Sequence, residues 1–98
     1  MPAYVLALYG TPDDPAAFDA HYEAIHVPLG RPMPGLRGGG ISAGPALAPD
    51  GSVAFHQVAV LEFDSLADAQ RALASPQGQA TAADAANFIT GGVTVAMF

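Results

Sequence analysis

The sequence predicts a small α+β domain whose elements run β-α-β-β-α-β. Three observations carry that prediction. An apolar run, Ala3 to Tyr9, is cut off by Gly10-Thr11-Pro12. A second stretch, Val53 to Phe63, alternates with strand period. Two helix start signals, Asp14-Pro15 and Ser65-Leu-Ala-Asp68, each fall between strand-like segments.

The first strand is apolar on both faces, as a central strand must be. Asp14 is an N-cap and Pro15 suits the first helical position, where its missing N–H costs nothing. The helix should run to about His26, because Pro28 disfavours helical backbone at Val27. On a 3.6-residue wheel Phe18, Tyr22, Ile25 and Leu29 share a stripe, while Asp19, Ala20 and Glu23 face water. His21 and His26 flank that stripe, about 140° apart at the usual step per residue. Pro32 to Gly40 reads as a loop feeding a glycine-rich strand around Leu36 to Ala46. Pro49-Asp50-Gly51 is a turn, so the segments on either side form a hairpin. In the next strand Val53, Phe55, Gln57, Ala59, Leu61 and Phe63 share one face, with Ala54, His56, Val58, Val60 and Glu62 on the other. Ser65 to Asp68 resembles a capping box, with Asp in the usual place of Glu. Its helix should turn Leu66, Ala69 and Leu73 inward. Ser75-Pro76 restarts an alanine-rich helical piece to about Asn87, and Gly91-Gly92 leads into a last strand, Val93 to Phe98.

Right-handed crossovers turn this order into a ferredoxin-like fold: a four-stranded antiparallel sheet with both helices on one face. The other face stays bare and apolar, more than soluble monomers usually tolerate. Two such sheets packed face to face would close the core, which predicts a homodimer of one domain spanning residues 1–98.

Composition points the same way. A chain of 98 residues lies near the low end of sizes that fold alone. Of its apolar residues 21 are alanines, against 26 Val, Ile, Leu, Met and Phe together, so the core is modest. There is no cysteine, hence no disulfide or thiolate metal site to make up the difference. Three arginines (Arg31, Arg37, Arg71), no lysine and nine carboxylates leave a net charge of −6. A nucleic-acid backbone requires clustered cations, as does an anionic membrane surface, so neither is an expected partner. No apolar run approaches a membrane span and no signal peptide opens the chain, so a cytoplasmic location is expected.

Several blocks together resemble the EthD-like family within the dimeric α+β barrels. They are Tyr9, Pro12, Asp14-Pro15 and Phe18; H-Y-E-A-I-H-V-P-L from His21 to Leu29; Met33-Pro34-Gly35-Leu36; A-L-A-S-P-Q-G-Q-A from Ala72 to Ala80; and Asp84, Asn87-Phe88 and Gly91-Gly92-Val93. The resemblance covers nearly the whole chain. It implies a dimeric ferredoxin-like barrel with a pocket between sheet and helices for a small, often aromatic ligand. Related barrels include cofactor-independent oxygenases, isomerases and cyclases, and the fold cannot choose among them. Gly38-Gly39-Gly40 departs from the bulkier residues usual in that strand.

His26 is the foremost catalytic candidate, because an imidazole exchanges protons near neutral pH. Tyr22, one turn earlier, is placed to hold an enol or carbonyl oxygen. The alternative for His26 is a helix C-terminal cation complementing the dipole. His21 reads as a surface or dimer-rim residue; five positions from His26, it diverges from the i, i+4 spacing of helical metal pairs, so no metal site is read here. His56 is either an interface histidine or a partner of His26 across the pocket, with Gln57 replacing it if the register is reversed. Tyr9 can close the pocket mouth or simply pack in the core. Arg31 and Arg37 flank M-P-G-L, and either can grip a carboxylate in two-pronged fashion or pair with a surface acid. Asp84 and Asn87 are expected to satisfy backbone groups at the end of their helical piece. No nucleophile elbow, phosphate cradle or dinucleotide fingerprint occurs, and no cofactor is called for. The readings that remain are a cofactor-free acid–base enzyme on a small apolar or aromatic carbonyl compound (isomerase, cyclase, decarboxylase or oxygenase type), a non-catalytic ligand-binding module, and a structural dimer.

Overall fold

A computed structural model describes residues 2–98. Its main sheet has the order β2-β5-β1-β6, every neighbouring pair antiparallel. β1 (Ala3–Tyr9) is central. It pairs with β5 (Gln57–Phe63) from Ala3↔Phe63 to Tyr9↔Gln57, and with β6 (Val93–Met97) from Val5↔Met97 to Tyr9↔Val93. β2 (Gly38–Ile41) closes the β5 edge. All helices lie on one face, giving the ferredoxin-like arrangement.

The helix-bearing face is settled by burial. Ala3, Val5 and Tyr9 of β1 and Gln57, Ala59 and Phe63 of β5 are all buried beneath the helices. Val5, Met33, Phe63, Ala69 and Ala72 form one core cluster, with Phe63 completely enclosed. Tyr4, Leu6, Leu8, Val58 and Val60 point the other way and are only partly covered by their own sheet neighbours. Phe98 stacks near Tyr4 on that helix-free side, ring centroids 5.5 Å apart.

The first helical stretch does not stop where Pro28 suggested. α1 (Pro15–His21) begins at Asp14, whose carboxylate accepts from the Ala17 N–H at 3.1 Å. It passes into a π-helical segment, Tyr22–His26, and then into α2 (Val27–Gly30). Val27 stays helical (φ −61°, ψ −50°), and its N–H donates to the Tyr22 carbonyl five residues back. Pro28 explains the widening. In an α-helix its ring would strike the carbonyl four residues earlier, and it has no N–H to donate. One extra residue in the turn relieves the clash without ending the helix. The same widening rotates Ile25 out of the apolar stripe, leaving it 50% exposed.

Three further expectations are corrected. The stretch Val53 to Phe63 is not one strand. It breaks at His56 into β4 (Val53–Phe55) and β5, and β4 pairs only with β3 (Ala46–Leu47) in a separate two-stranded ribbon around Gly51. The glycine-rich strand is correspondingly short: only Gly38–Ile41 joins the main sheet. In α3 (Leu66–Ala74), capped by Ser65, Ala69 and Ala72 are buried while Leu66 is 44% exposed, so two alanines and half-buried Leu73 make the contact. Small side chains let the helix lie close to the sheet. α4 (Pro76–Asp84) restarts at Ser75 and passes through a 3₁₀ turn, Ala85–Asn87, towards β6. α3 and α4 approach so closely that a Cβ at Gly78 would collide with the Ala72 carbonyl.

Candidate functional site

Asp84, at the last position of α4, is the hub of the site. It is only 7% exposed and accepts three side-chain donors. His21 Nε2 lies 2.9 and 3.0 Å from its two oxygens, His26 Nδ1 lies 2.9 Å from Oδ2, and Asn87 Nδ2 donates to Oδ1 at 2.9 Å. Burial by itself would raise the carboxyl. Hydrogen bonds from Asn87, His26 and His21, with the charge of His21, outweigh that and hold Asp84 below its ordinary range. A carboxylate has no proton to give, so the hydrogens sit on His21 Nε2 and His26 Nδ1. The other nitrogen of His26, Nε2, is therefore the basic one when the ring is neutral. It faces the Tyr9 hydroxyl at 3.4 Å, the outer limit of a hydrogen bond, and is only loosely engaged.

The π-helical segment creates this convergence. On an α-helix His21 and His26 would diverge. With bonds running from one residue to the fifth after it, residues five apart stack on the same side, and both rings reach one carboxylate. His21 is thus half-buried and part of the site rather than a rim residue. Phe88 braces both rings, with centroids 4.7 Å from His26 and 5.1 Å from His21, and Tyr22 stacks on His26 at 5.7 Å.

Tyr9 and Tyr22 are fixed as neutral phenols. Burial, aided by the Asp84 charge, pushes Tyr9 up to about 12. Burial, with Tyr9 as a second cause, pushes Tyr22 well above the usual phenol range. The Tyr22 hydroxyl has no hydrogen-bond partner among the described residues, and it is not sealed off, since none of their buried polar side-chain atoms is left unpaired.

These groups line a mainly apolar cleft of about 740 Å³ between the sheet and the helices. Tyr9, Tyr22, His26 and Arg31 all contribute to its wall, as does the glycine-rich strand β2. Gly39 belongs there for a backbone reason: its φ is +125°, and a Cβ would strike the Val60 carbonyl. Arg37 pairs with Asp64 at 3.4 Å and Arg71 pairs with Asp68, whereas Arg31 has no ion pair among the described residues.

His56 lies elsewhere. The break between β4 and β5 turns it towards α1, where Nε2 is 2.8 Å from Asp19 and the ring meets Phe18 edge-on at 4.8 Å. It lines a separate small cavity and neither joins His26 nor sits on the helix-free face. Gln57 is buried on the helix side with its amide donating to the Ser42 carbonyl at 2.8 Å. Among the described residues no group of three or more His, Cys, Asp or Glu is arranged to hold a metal ion. Among the described residues no helix is long and apolar enough to cross a membrane.

On sequence grounds alone Asp84 and Asn87 satisfy backbone groups at a helix end and carry no chemistry. One sequence signal did mark Asp84. An acid at the last position of a helix opposes the helix dipole, so it is out of place unless something else holds it.

The sequence profile of the EthD domain matches residues 11–92. An uncharacterized 11.0 kDa protein in the thcB-thcC intergenic region of Rhodococcus erythropolis is 46% identical over 92 residues, covering 93% of this chain and 87% of that one. The crystal structure of an EthD family protein from Bacillus halodurans superposes with a TM-score of 0.90 at 32% identity, covering 100% and 97% of the two chains. Likenesses at lower identity show the fold alone. A dimeric ferredoxin-like protein from Thermobifida fusca matches at 19% identity (TM-score 0.72, 100% and 90% covered). A cofactor-independent oxygenase from Streptomyces nogalater matches at 18% (TM-score 0.60, 99% and 89% covered).

Proposed function

The chain belongs to the EthD domain family, and from that premise we propose that its cleft binds a small apolar or aromatic carbonyl compound and moves a proton on it without a cofactor. The observation that carries this reading is the pair His26 and Tyr9 in the cleft wall, with Asp84 behind His26 holding its Nδ1. Asp84 fixes the His26 ring so that Nε2 is the acceptor, and the loose 3.4 Å contact to Tyr9 leaves that nitrogen free for substrate. The proton on a carbon next to a carbonyl passes to Nε2. Its bonding pair forms the carbon–carbon double bond of an enolate while the C=O π pair moves onto oxygen, where the Tyr22 phenol, with Tyr9 released from His26, donates hydrogen bonds. Return of the proton at the same carbon gives exchange, and return at another gives isomerisation. That the oxygenase from Streptomyces nogalater works without a cofactor supports a cofactor-free reading of this fold.

The test is hydrogen–deuterium exchange at the methyl group of acetyl-substituted arenes in D₂O, followed by proton NMR. Wild-type protein is expected to accelerate exchange. His26→Gln should abolish the acceleration while ligand affinity changes little, and Tyr22→Phe should slow it by about 10²–10³-fold, the scale for one lost donor to a developing oxyanion. No acceleration by the wild type with any arene that binds would refute the enzyme reading in favour of a binding module.

The same reading makes the protein a homodimer joined through the helix-free face. Tyr4, Leu6, Leu8, Val58, Val60 and Phe98 give that face an apolar character a lone copy leaves in water. The dimeric ferredoxin-like protein from Thermobifida fusca supports it.

A further inference from the structure

We infer that the ligand is an acid: a carbonyl compound carrying a carboxylate, which Arg31 grips at one end of the cleft while the carbonyl reaches His26. This rests on the proposed function and narrows it to one substrate class. The chain has three cations against nine carboxylates. Two of the three are already matched, Arg37 with Asp64 and Arg71 with Asp68. Arg37 and Arg31 both line the cleft, but only Arg31 forms no ion pair among the described residues, even in so acidic a chain. It follows directly on α2, five residues after His26, so the cation and the base come from one helical run.

Electrostatics then orient the ligand. Asp84, a buried carboxylate, already takes the donors of His21, His26 and Asn87 at the His26 end, so a second anion would find none of them free there. The anion belongs at Arg31, whose planar fork matches a carboxylate with two parallel hydrogen bonds. Between the two ends the wall is apolar, and glycine-rich β2 presents backbone rather than side chains. A cleft of about 740 Å³ has room for a one- or two-ring body.

The test uses matched probes: 4-acetylbenzoate, 6-acetyl-2-naphthoate and 4-acetylcyclohexanecarboxylate, each against its neutral methyl ester. Affinity is measured by calorimetric titration, and the ¹⁵N signals of the His26 ring show whether the keto end arrives there. At least one acid should bind wild-type protein about tenfold more tightly than its ester and perturb the His26 signals. Arg31→Gln should reduce that preference to less than twofold, Arg31→Lys should leave part of it, and Arg71→Gln should keep it. Equal binding of acids and esters, both perturbing His26, overturns the acid inference and leaves the proposed function standing. A preference that survives in Arg31→Gln overturns the role of Arg31. Failure of every probe to bind at millimolar concentration overturns both.

Discussion

Replacing Asp84 by Asn changes one oxygen to a nitrogen at the centre of the site. The carboxylate accepts from His21, His26 and Asn87 across its two oxygens. The amide keeps one acceptor and turns a pair of hydrogens towards a ring nitrogen that now carries its own. A charged acceptor becomes neutral and one buried donor loses its partner. Unmade bonds of that kind cost about 1–3 kcal/mol each, so we expect a loss of about 2–3 kcal/mol for Asp84→Asn. Asp84→Ala, which strands all three donors, should cost about 3–5 kcal/mol, the usual penalty for breaking a buried charged pair. In a domain of this size the Asn variant should melt about 10–20 °C lower. Urea titration is the assay, with an unchanged slope showing that only stability moved.

The pH dependence sharpens the test. Asp84 titrates below its ordinary value of 3.8 when folded, so the unfolded chain binds more protons in that window and stability rises with pH there. Its contribution is complete above about pH 4 and is lost as pH falls through 3.8 towards the lower folded value. The gap between wild type and Asp84→Asn should therefore be full at pH 7 and shrink below pH 4. A gap under about 0.5 kcal/mol at pH 7, or one unchanged down to pH 2, would show that Asp84 is not the hub described.

Pro28→Ala, which returns an N–H and removes the ring clash with the carbonyl four residues earlier, should let the segment tighten towards an α-helix and draw His26 away from Asp84; the His26 Nδ1 proton signal should lose its hydrogen-bonded shift while far-ultraviolet circular dichroism stays close to wild type. Phe63→Ala, at a fully enclosed large side chain, should cost about 3–5 kcal/mol in urea titration. Leu6→Asp on the helix-free face should convert a dimer into monomers at micromolar concentration, read by light scattering; a wild-type protein already monomeric there would refute the dimer.

The elements themselves were legible because their signals are local. Asp14-Pro15, Ser65 and Ser75-Pro76 start helices through bonds within a single turn. The bounds of β1 follow from a short apolar run between breakers. The errors arose where a local rule met a distant constraint. Pro28 has a sound preference against a helical neighbour, yet the chain kept its helix by admitting one extra residue per turn, because Tyr22 and Val27 pack in the aromatic cluster. Strand alternation through His56 was sound as a pattern, but the two halves of that stretch pair with different partners.

Taken by itself, the sequence determined the order of elements, the absence of thiols and of clustered cations, and the bare apolar side of the sheet, and it offered His26, Tyr22, Tyr9, His56 and Arg31 as candidates without saying what each would meet. Only the tertiary structure decided which groups meet. Asp84 lies 63 residues from His21 and 58 from His26, and no periodicity links positions that far apart. Their meeting depends on α4 crossing beside the first helical run, and on a π-helical turn that faces two histidines the same way. Side-chain chemistry is a property of the residue, but a proton relay is a property of distances, and those are set by packing.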